Sequence, residues 1–362
     1  MLVSTTGHVE KTQTYLLETA LGVLMKAALF EKPHVLNVVS KDLRRLRDDE
    51  VLVKVEACGV CGTDVHIVEG ISRSTPPVVL GHEYVGTVWE VGKGVANLRT
   101  GQRVAIDPNI ACGQCTYCRL GLVHLCENLR ALGVDIDGGM AEYCIVPAGQ
   151  AYTLPEGMSA DVAAFVEPVS CAVHGIDRAQ IRAGDTVVIL GCGTVGLIML
   201  QLAKIAGAAR LIAIEPLEHK RAMAQRLGAE VVIDPMKEDP KAVVFDTTLI
   251  GADVVIECVG RTSTVELALE LPRRGGTVVI FGICPIGATA SFEPNKVYFR
   301  ELTITGSHVN PQTFSRAIAL LASGKLRVDQ FPISRFPLGG VHEALVVQRD
   351  GRTIKSIIQP NV

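Results

Sequence analysis

The stretch Thr186–Leu190 followed by Gly191-Cys192-Gly193-Thr194-Val195-Gly196 constrains this chain more than any other feature. A continuous apolar run enters a Gly-x-Gly-x-x-Gly turn, and Thr194–Ala206 then has helical spacing. The first glycine permits a tight turn, the second lets backbone approach a pyrophosphate, and the third lets helix pack on strand. In a chain with 35 glycines the motif alone is weak. Its setting between strand and helix gives it weight. The pyrophosphate would rest on unpaired N–H groups at the helix start. Glu215, 19 residues after Gly196, ends the next apolar strand and can accept hydrogen bonds from an adenosine ribose. Gly191, Gly193, Thr194, Val195, Gly196 and Glu215 are therefore candidate dinucleotide-binding residues.

The same alternation continues. Leu211–Ile214 reads as a strand, Glu218–Leu227 as a helix, and Val231–Ile233, Val254–Glu257, Thr277–Phe281 and Leu302–Thr305 as further strands. Apolar strands alternating with helices mean an α/β architecture with a doubly wound parallel sheet. Upstream the texture differs. Val51–Ala57, Glu83–Val91, Arg103–Ile106 and Ala141–Val146 are short strand candidates separated by Gly, Pro and Asn, which makes a β-rich domain. At 362 residues the chain has room for two domains. The expected division is an N-terminal extension over 1–24, a β-rich domain over 25–169, a dinucleotide-binding domain over 170–308 and a return to the first domain over 309–362. The natural first strand opens at Met25, and Leu16–Leu24 is expected to be partly helical or disordered. After Pro311 a helix runs to Ala322, another lies near Val341–Gln348, and a last strand spans Thr353–Ile358.

Lys plus Arg is 35 and Asp plus Glu is 38, a net charge of −3. That excludes the basic footprint of a nucleic-acid binder. No apolar run reaches the roughly 20 residues of a membrane helix, and Glu10, Lys11 and Glu18 interrupt any secretory leader. The expectation is a cytoplasmic protein that binds neither nucleic acid nor membrane.

Four of the 11 cysteines crowd into fifteen residues as Cys112-x2-Cys115-x2-Cys118-x7-Cys126. Four thiolates at this spacing suit a closed, tetrahedral, structural Zn²⁺ site. An iron–sulfur cluster uses similar ligands at different spacings. A second set is dispersed: Cys61-Gly62-Thr63-Asp64-Val65-His66, then Gly81-His82-Glu83-Tyr84-Val85-Gly86, then Glu167-Pro168. One thiolate, one imidazole and one or two carboxylates make a mixed zinc set with room for water or substrate. The sequence does not itself bring these segments together.

These segments closely resemble the zinc-dependent medium-chain dehydrogenase/reductase family, the alcohol and polyol dehydrogenases. The resemblance runs from Met25 to the C-terminus through ACGVCGTDVH, GHEYVG, the four-cysteine loop, EPVSCAVHG and VVILGCGTVG, in the family's order. It implies a GroES-like catalytic domain and a Rossmann domain with the active site between them. It implies that Cys61 and His82 are catalytic zinc ligands and that Glu83 and Glu167 ligate the zinc or hold its water, with the choice between them open. It further implies that Thr63 and His66 relay the proton, that Cys112, Cys115, Cys118 and Cys126 hold a structural zinc, and that Phe281, Gly282, Ile283, Thr305, Gly306 and Ser307 line the nicotinamide. Animal sorbitol dehydrogenases carry an Arg-Tyr pair where this chain has Gly306-Ser307-His308-Val309-Asn310, which departs from a sorbitol-specific pattern.

The implied activity is hydride transfer between a secondary alcohol, a polyol or sugar, and a nicotinamide cofactor, in a homodimer or homotetramer. Glu215 favours NAD, while neighbouring His219, Lys220 and Arg221 could counter its charge and admit NADP. Two alternatives stand beside it. L-threonine 3-dehydrogenases share CGTDVHI and GHEYVG but tend to carry Asp where Glu167 stands. A zinc-stabilised binding protein without catalysis would keep the fold alone.

Overall fold

The computed structural model describes residues 18–19 and 22–362. Six parallel strands form one sheet in the order Val231–Ile233, Arg210–Ile214, Thr186–Leu190, Ala252–Glu257, Pro272–Ile280, Thr303–Gly306. Chain order reverses between Thr186–Leu190 and Ala252–Glu257, and that crevice at the carboxyl ends is where such sheets bind ligands. Val187, Val188, Ile189 and Leu190 are all buried, as a strand covered by helices on both faces requires.

The β-rich half holds a seven-stranded sheet. Its path is Ala151–Thr153, Arg103–Ile106, Glu83–Val91, Glu50–Gly59, Lys355–Gln359 and Ile333–Pro337, with Tyr143–Pro147 also on Glu50–Gly59. The tail thus re-enters the first sheet: Ile357 pairs with Gly59 and Ile358 with Cys58. A second sheet contains Glu18–Thr19, Gly22–Lys32, Val35–Leu43 and Val78–Val79.

The helix Val166–Ala179 joins the halves. One apolar core runs from Ala57, Val85 and Ala105 through Phe165 and Val169 to Val187 and Ile189. Phe165 is fully buried, and removing such a ring costs about 3–5 kcal/mol.

Several expectations need correction. The first long strand opens at Gly22, not Met25. The expected helix over Leu16–Leu24 is not seen where that segment is described: Glu18–Thr19 pairs antiparallel with Gly22–Val23. Its remaining residues lie outside the described ones. Strand Val35–Leu43 carries no apolar alternation in the sequence, since only Leu36 of its nine residues is buried. Helices Pro240–Thr248, Thr262–Glu270 and Pro294–Arg300 add to the expected elements. The first carries an Asp239 cap and a proline at its start, a readable helix signal.

Candidate active site

Cys61 ends the turn after strand Glu50–Gly59 and caps helix Gly62–Val68. The Asp64 carboxylate accepts the Cys61 backbone N–H at 2.8 Å, which fixes the turn and aims the thiol. His82 immediately precedes strand Glu83–Val91, and Glu83 opens it, paired with Gly59. Strand pairing therefore does what spacing along the chain could not. Donor atoms of Cys61, His82 and Glu83 lie within 4.8 Å of one another. A tetrahedral zinc holds such donors about 3.5 Å apart, so the set fits the ion with small side-chain adjustment.

The surroundings support that fit. Asp64 is fully buried, with Oδ1 3.4 Å from His82 Nδ1. Neither atom has a hydrogen-bond partner. A carboxylate behind an imidazole orients the ring and leaves its other nitrogen for a metal. Burial works to lower the His82 pKa, but Asp64 and Cys61 outweigh it and raise it well above the ordinary value. Glu83 is ion-paired with Lys355, a buried lysine on the last strand. Gly59 has no Cβ because one there would stand 2.5 Å from Glu83 Oε2 and 2.7 Å from Lys355 Cε.

Glu167 stands beside this trio rather than within it. It is buried in the first turn of helix Val166–Ala179, and burial pushes its pKa up to about 7. Cys171, one turn on, donates its thiol hydrogen to Glu167 Oε1 at 3.2 Å. Thr63 Oγ1 lies 3.6 Å from Cys61 Sγ, and His66 is one turn further along the same face.

The four-cysteine loop closes on itself. Donor atoms of Cys112, Cys115, Cys118 and Cys126 all lie within 4.8 Å. Cys115 Sγ is 3.6 Å from Cys118 Sγ and 3.9 Å from Cys126 Sγ. Zinc–sulfur bonds of about 2.3 Å in a tetrahedron set sulfurs about 3.8 Å apart. Backbone N–H groups of Gln114 and Cys115 lower the Cys112 pKa to about 6, which favours the thiolate a metal needs. All four cysteines are free, with no disulfide.

At the cofactor crevice Gly191 has φ 87°, and a Cβ on Gly196 would overlap the Gly191 carbonyl oxygen. A Cβ on Gly193 would meet nothing within 4 Å, which leaves the helix start open to a phosphate. The crevice fits a dinucleotide. Glu215 accepts the Cys192 N–H at 2.8 Å and the Leu217 N–H at 3.0 Å. The nearby cations are largely occupied. Arg221 pairs with Asp234 at 3.0 Å and donates to the Glu215 carbonyl oxygen at 2.7 Å. His219 Nε2 contacts the Gly351 carbonyl oxygen at 3.0 Å, and Lys220 also turns towards Gly351. The Thr194 hydroxyl is spent on the Ile354 carbonyl oxygen, tying the cofactor helix to the tail, while Val195 is half-buried at the helix start.

Phe281 and Gly282 both donate N–H groups to the Glu257 carbonyl oxygen, and Ile283 is 64% exposed. Thr305 and Gly306 bind Arg178, with Arg178 Nε 3.2 Å from the Gly306 carbonyl oxygen. The buried Ser307 hydroxyl lacks a partner. Asn310 is buried and donates to Asp107 at 3.2 Å.

A family model described as "Alcohol dehydrogenase GroES-like domain" matches residues 47–156, and one described as "Zinc-binding dehydrogenase" matches residues 194–323. The chain is 34% identical over 341 residues to D-arabinitol dehydrogenase 1 of Uromyces fabae, covering 93% of this chain and 97% of that one. The chain belongs to the zinc-dependent medium-chain dehydrogenase/reductase family. Its fold is accordingly a GroES-like domain joined to a Rossmann domain, and it is a zinc-dependent dehydrogenase that uses a nicotinamide cofactor. It is also 36% identical over 337 residues to L-threonine 3-dehydrogenase of Caldanaerobacter subterraneus subsp. tengcongensis, covering 90% of this chain and 95% of that one. A solved putative zinc-binding dehydrogenase from Sinorhizobium meliloti 1021, bound to NADP, superposes with TM-score 0.89 at 41% identity over 93% of this chain and 99% of that one.

Sequence reasoning gave no role to Asp64, Lys355 or Cys171. Asp64 was visible in CGTDVH, but its pairing with His82 depends on strands distant in sequence. Lys355 carries no local signal.

Proposed function

We propose that this dehydrogenase oxidises a secondary hydroxyl of a short polyol or sugar with NAD. The convergence of Cys61, His82 and Glu83 in the cleft, with Glu167 and Thr63 beside them, carries this reading. When bound there, zinc lowers the pKa of the substrate hydroxyl, and the nicotinamide at the crevice takes up the hydride. Cys61, His82 and Glu83 hold the metal, with Lys355 neutralising part of the carboxylate charge. Asp64 holds the His82 ring. Thr63 accepts the hydroxyl proton and His66 passes it to solvent. Glu167 accepts a hydrogen bond from a neighbouring hydroxyl of a vicinal diol. Cys112, Cys115, Cys118 and Cys126 hold a second, structural zinc. The cofactor domain comprises residues 170–308, between a catalytic part over 25–169 and its return over 309–362.

A simple primary alcohol leaves the buried Glu167 acceptor without that second hydroxyl, at a cost of roughly 1–3 kcal/mol. A C4–C6 polyol should therefore exceed ethanol by about 10- to 100-fold in kcat/KM. NADH formation across polyols, ethanol and threonine measures it. Equal turnover of ethanol and polyol would remove Glu167 as a selector. Activity on threonine alone would replace the polyol reading with the second one, which the full-length L-threonine 3-dehydrogenase relatives favour.

For the cofactor, the Glu215 carboxylate repels a 2′-phosphate and suits free ribose hydroxyls. The expected result is a higher kcat/KM with NAD than with NADP, and a shift towards NADP in Glu215→Ala. The Sinorhizobium relative's NADP makes this comparison decisive. A wild-type preference for NADP would overturn it.

We also infer a homo-oligomer. Thr303–Gly306 is an edge strand of the Rossmann sheet with none of its residues buried. Ile283, Phe292, Tyr298 and Phe299, in the segment that joins this strand to its neighbour Pro272–Ile280, are exposed. An open edge with apolar side chains invites pairing with a second copy. Tyr298→Asp with Phe299→Asp should lower the mass seen by light scattering to that of a monomer. A wild-type monomer would refute the inference. Among the described residues no helix is long and apolar enough to cross a membrane. The proposed location is the cytoplasm.

A further inference from the structure

Glu257 is the last residue of strand Ala252–Glu257 and is fully withdrawn from water. Its carboxylate is unevenly satisfied. Oε1 accepts the N–H groups of Val259 and Gly260 at 2.8 and 2.9 Å and the Thr264 hydroxyl at 2.7 Å. Oε2 is buried and has no hydrogen-bond partner. Among the described residues no Lys, Arg or His nitrogen stands within 4.0 Å of this carboxylate. The other buried acids near the active centre differ: Asp64 faces His82, and Lys355 answers Glu83. A buried carboxylate without a cation is costly unless something answers its charge.

The residue stands on one half of the cofactor crevice. Glu215 follows Arg210–Ile214, the strand on one side of Thr186–Leu190, and suits the adenosine ribose. The nicotinamide half of a dinucleotide then falls on the other side, over Ala252–Glu257 and Pro272–Ile280. Three backbone segments meet there around Glu257. Val259, held by Oε1, packs on the pyrophosphate turn, and a Cβ on Gly191 would stand 2.6 Å from Val259 Cγ2. Gly260, held by the same oxygen, abuts the next loop, where its Cβ would stand 2.5 Å from the Ile283 carbonyl oxygen. Gly282 of that loop lies against the free oxygen, and a Cβ on it would stand 2.6 Å from Oε2. The Glu257 carbonyl oxygen also accepts the N–H groups of Phe281 and Gly282 at 3.0 and 2.9 Å. The charge reaches along this loop: burial first, and then Glu257, raise the thiol pKa of Cys284.

We propose that Glu257 is a positioning residue for the nicotinamide half of the cofactor, and that its uncompensated charge makes the crevice favour the oxidised, cationic ring over the reduced, neutral one. Oε1 and the Glu257 carbonyl oxygen fix the segments that wall this half, and Oε2 leaves a negative charge beside them. Two unit charges about 10 Å apart at an effective dielectric of about 20 attract strongly enough to shift an equilibrium about tenfold. Oxidised cofactor brings the cation that the fold itself withholds. Hydride uptake removes that cation, so the reduced cofactor is held less tightly than it would be without Glu257. The inference requires a nicotinamide cofactor only, and it stands apart from the polyol reading and from the choice between NAD and NADP.

Isothermal titration calorimetry of the zinc-loaded protein tests it, with NAD and NADH and in parallel with NADP and NADPH. The quantity read is the Kd of the reduced form divided by that of the oxidised form. Wild type, Glu257→Gln, Glu257→Asp and Glu215→Gln are compared, with thermal unfolding as the check on folding. Glu257→Gln keeps the shape and an acceptor oxygen but loses the charge. Its ratio should fall about 3- to 10-fold, mostly through weaker binding of the oxidised form. Glu257→Asp keeps the charge and shortens the reach to the three donors. Both affinities should fall together, with the ratio within about twofold of wild type, and this variant decides alone if Glu257→Gln does not fold. Glu215→Gln, on the adenosine side, should weaken both forms alike. A Glu257→Gln ratio equal to that of wild type overturns the proposal and leaves Glu257 a scaffold residue. So does a fall in Glu257→Asp beyond that twofold margin, or one in Glu215→Gln as large as in Glu257→Gln.

Discussion

Cys61→Ser should abolish turnover while leaving a folded protein. The residue is half-exposed at the start of a helix, and its backbone N–H bond to Asp64 does not involve the sulfur. A serine keeps the turn and loses the soft thiolate that suits zinc. If metal polarisation supplies several kcal/mol to the reaction, as it does in zinc enzymes, kcat/KM falls by about a thousandfold or more. Two measurements check this. Metal analysis should give two zincs per chain in the wild type and one in the variant, and thermal unfolding should move little. A wild type with a single zinc, or a variant that keeps near-normal turnover, would refute the assignment.

Cys115→Ser should do the opposite. Its sulfur stands 3.6 and 3.9 Å from those of Cys118 and Cys126, in a lobe whose short helix Thr116–Arg119 buries no residue. Among residues 112–126 only Cys126 is buried, so a metal held by the four thiolates would supply folding energy that apolar packing does not. Losing one ligand should cost several kcal/mol and lower Tm by on the order of 10 °C. Activity per folded molecule should fall less than in Cys61→Ser. An unchanged Tm, together with retained zinc, would count against a structural metal.

The two variants separate because the two sites are built differently. The four cysteines come from one short loop, and local chain geometry alone can bring them together. The catalytic set is drawn from a turn, a strand and a helix, and only the packed sheet assembles it. Lys355 belongs to the same logic. A lysine fully withdrawn from water is costly unless paired, and its partner Glu83 lies 272 positions earlier.

Much was legible in advance because it is local. A strand, a glycine turn and a helix within Thr186–Ala206 dictate a dinucleotide crevice, since backbone sterics fix what the turn can do. The Cys112–Cys126 spacing brings four thiols within reach of one another for the same reason. Periodicity located the parallel strands, whose continuous apolar runs reflect burial on both faces. The family's motifs, in their order, pointed to Cys61, His82 and Glu83 but not to their geometry. Val35–Leu43 escaped notice because most of its side chains face water, and pairing alone makes it a strand. Likewise, only the tertiary structure decided that Glu83 faces Lys355, that Asp64 backs His82 and that Asn310 is spent on Asp107. Each of those relations joins residues far apart in sequence. No periodicity records them, because they exist only once burial has fixed which strands and helices are neighbours.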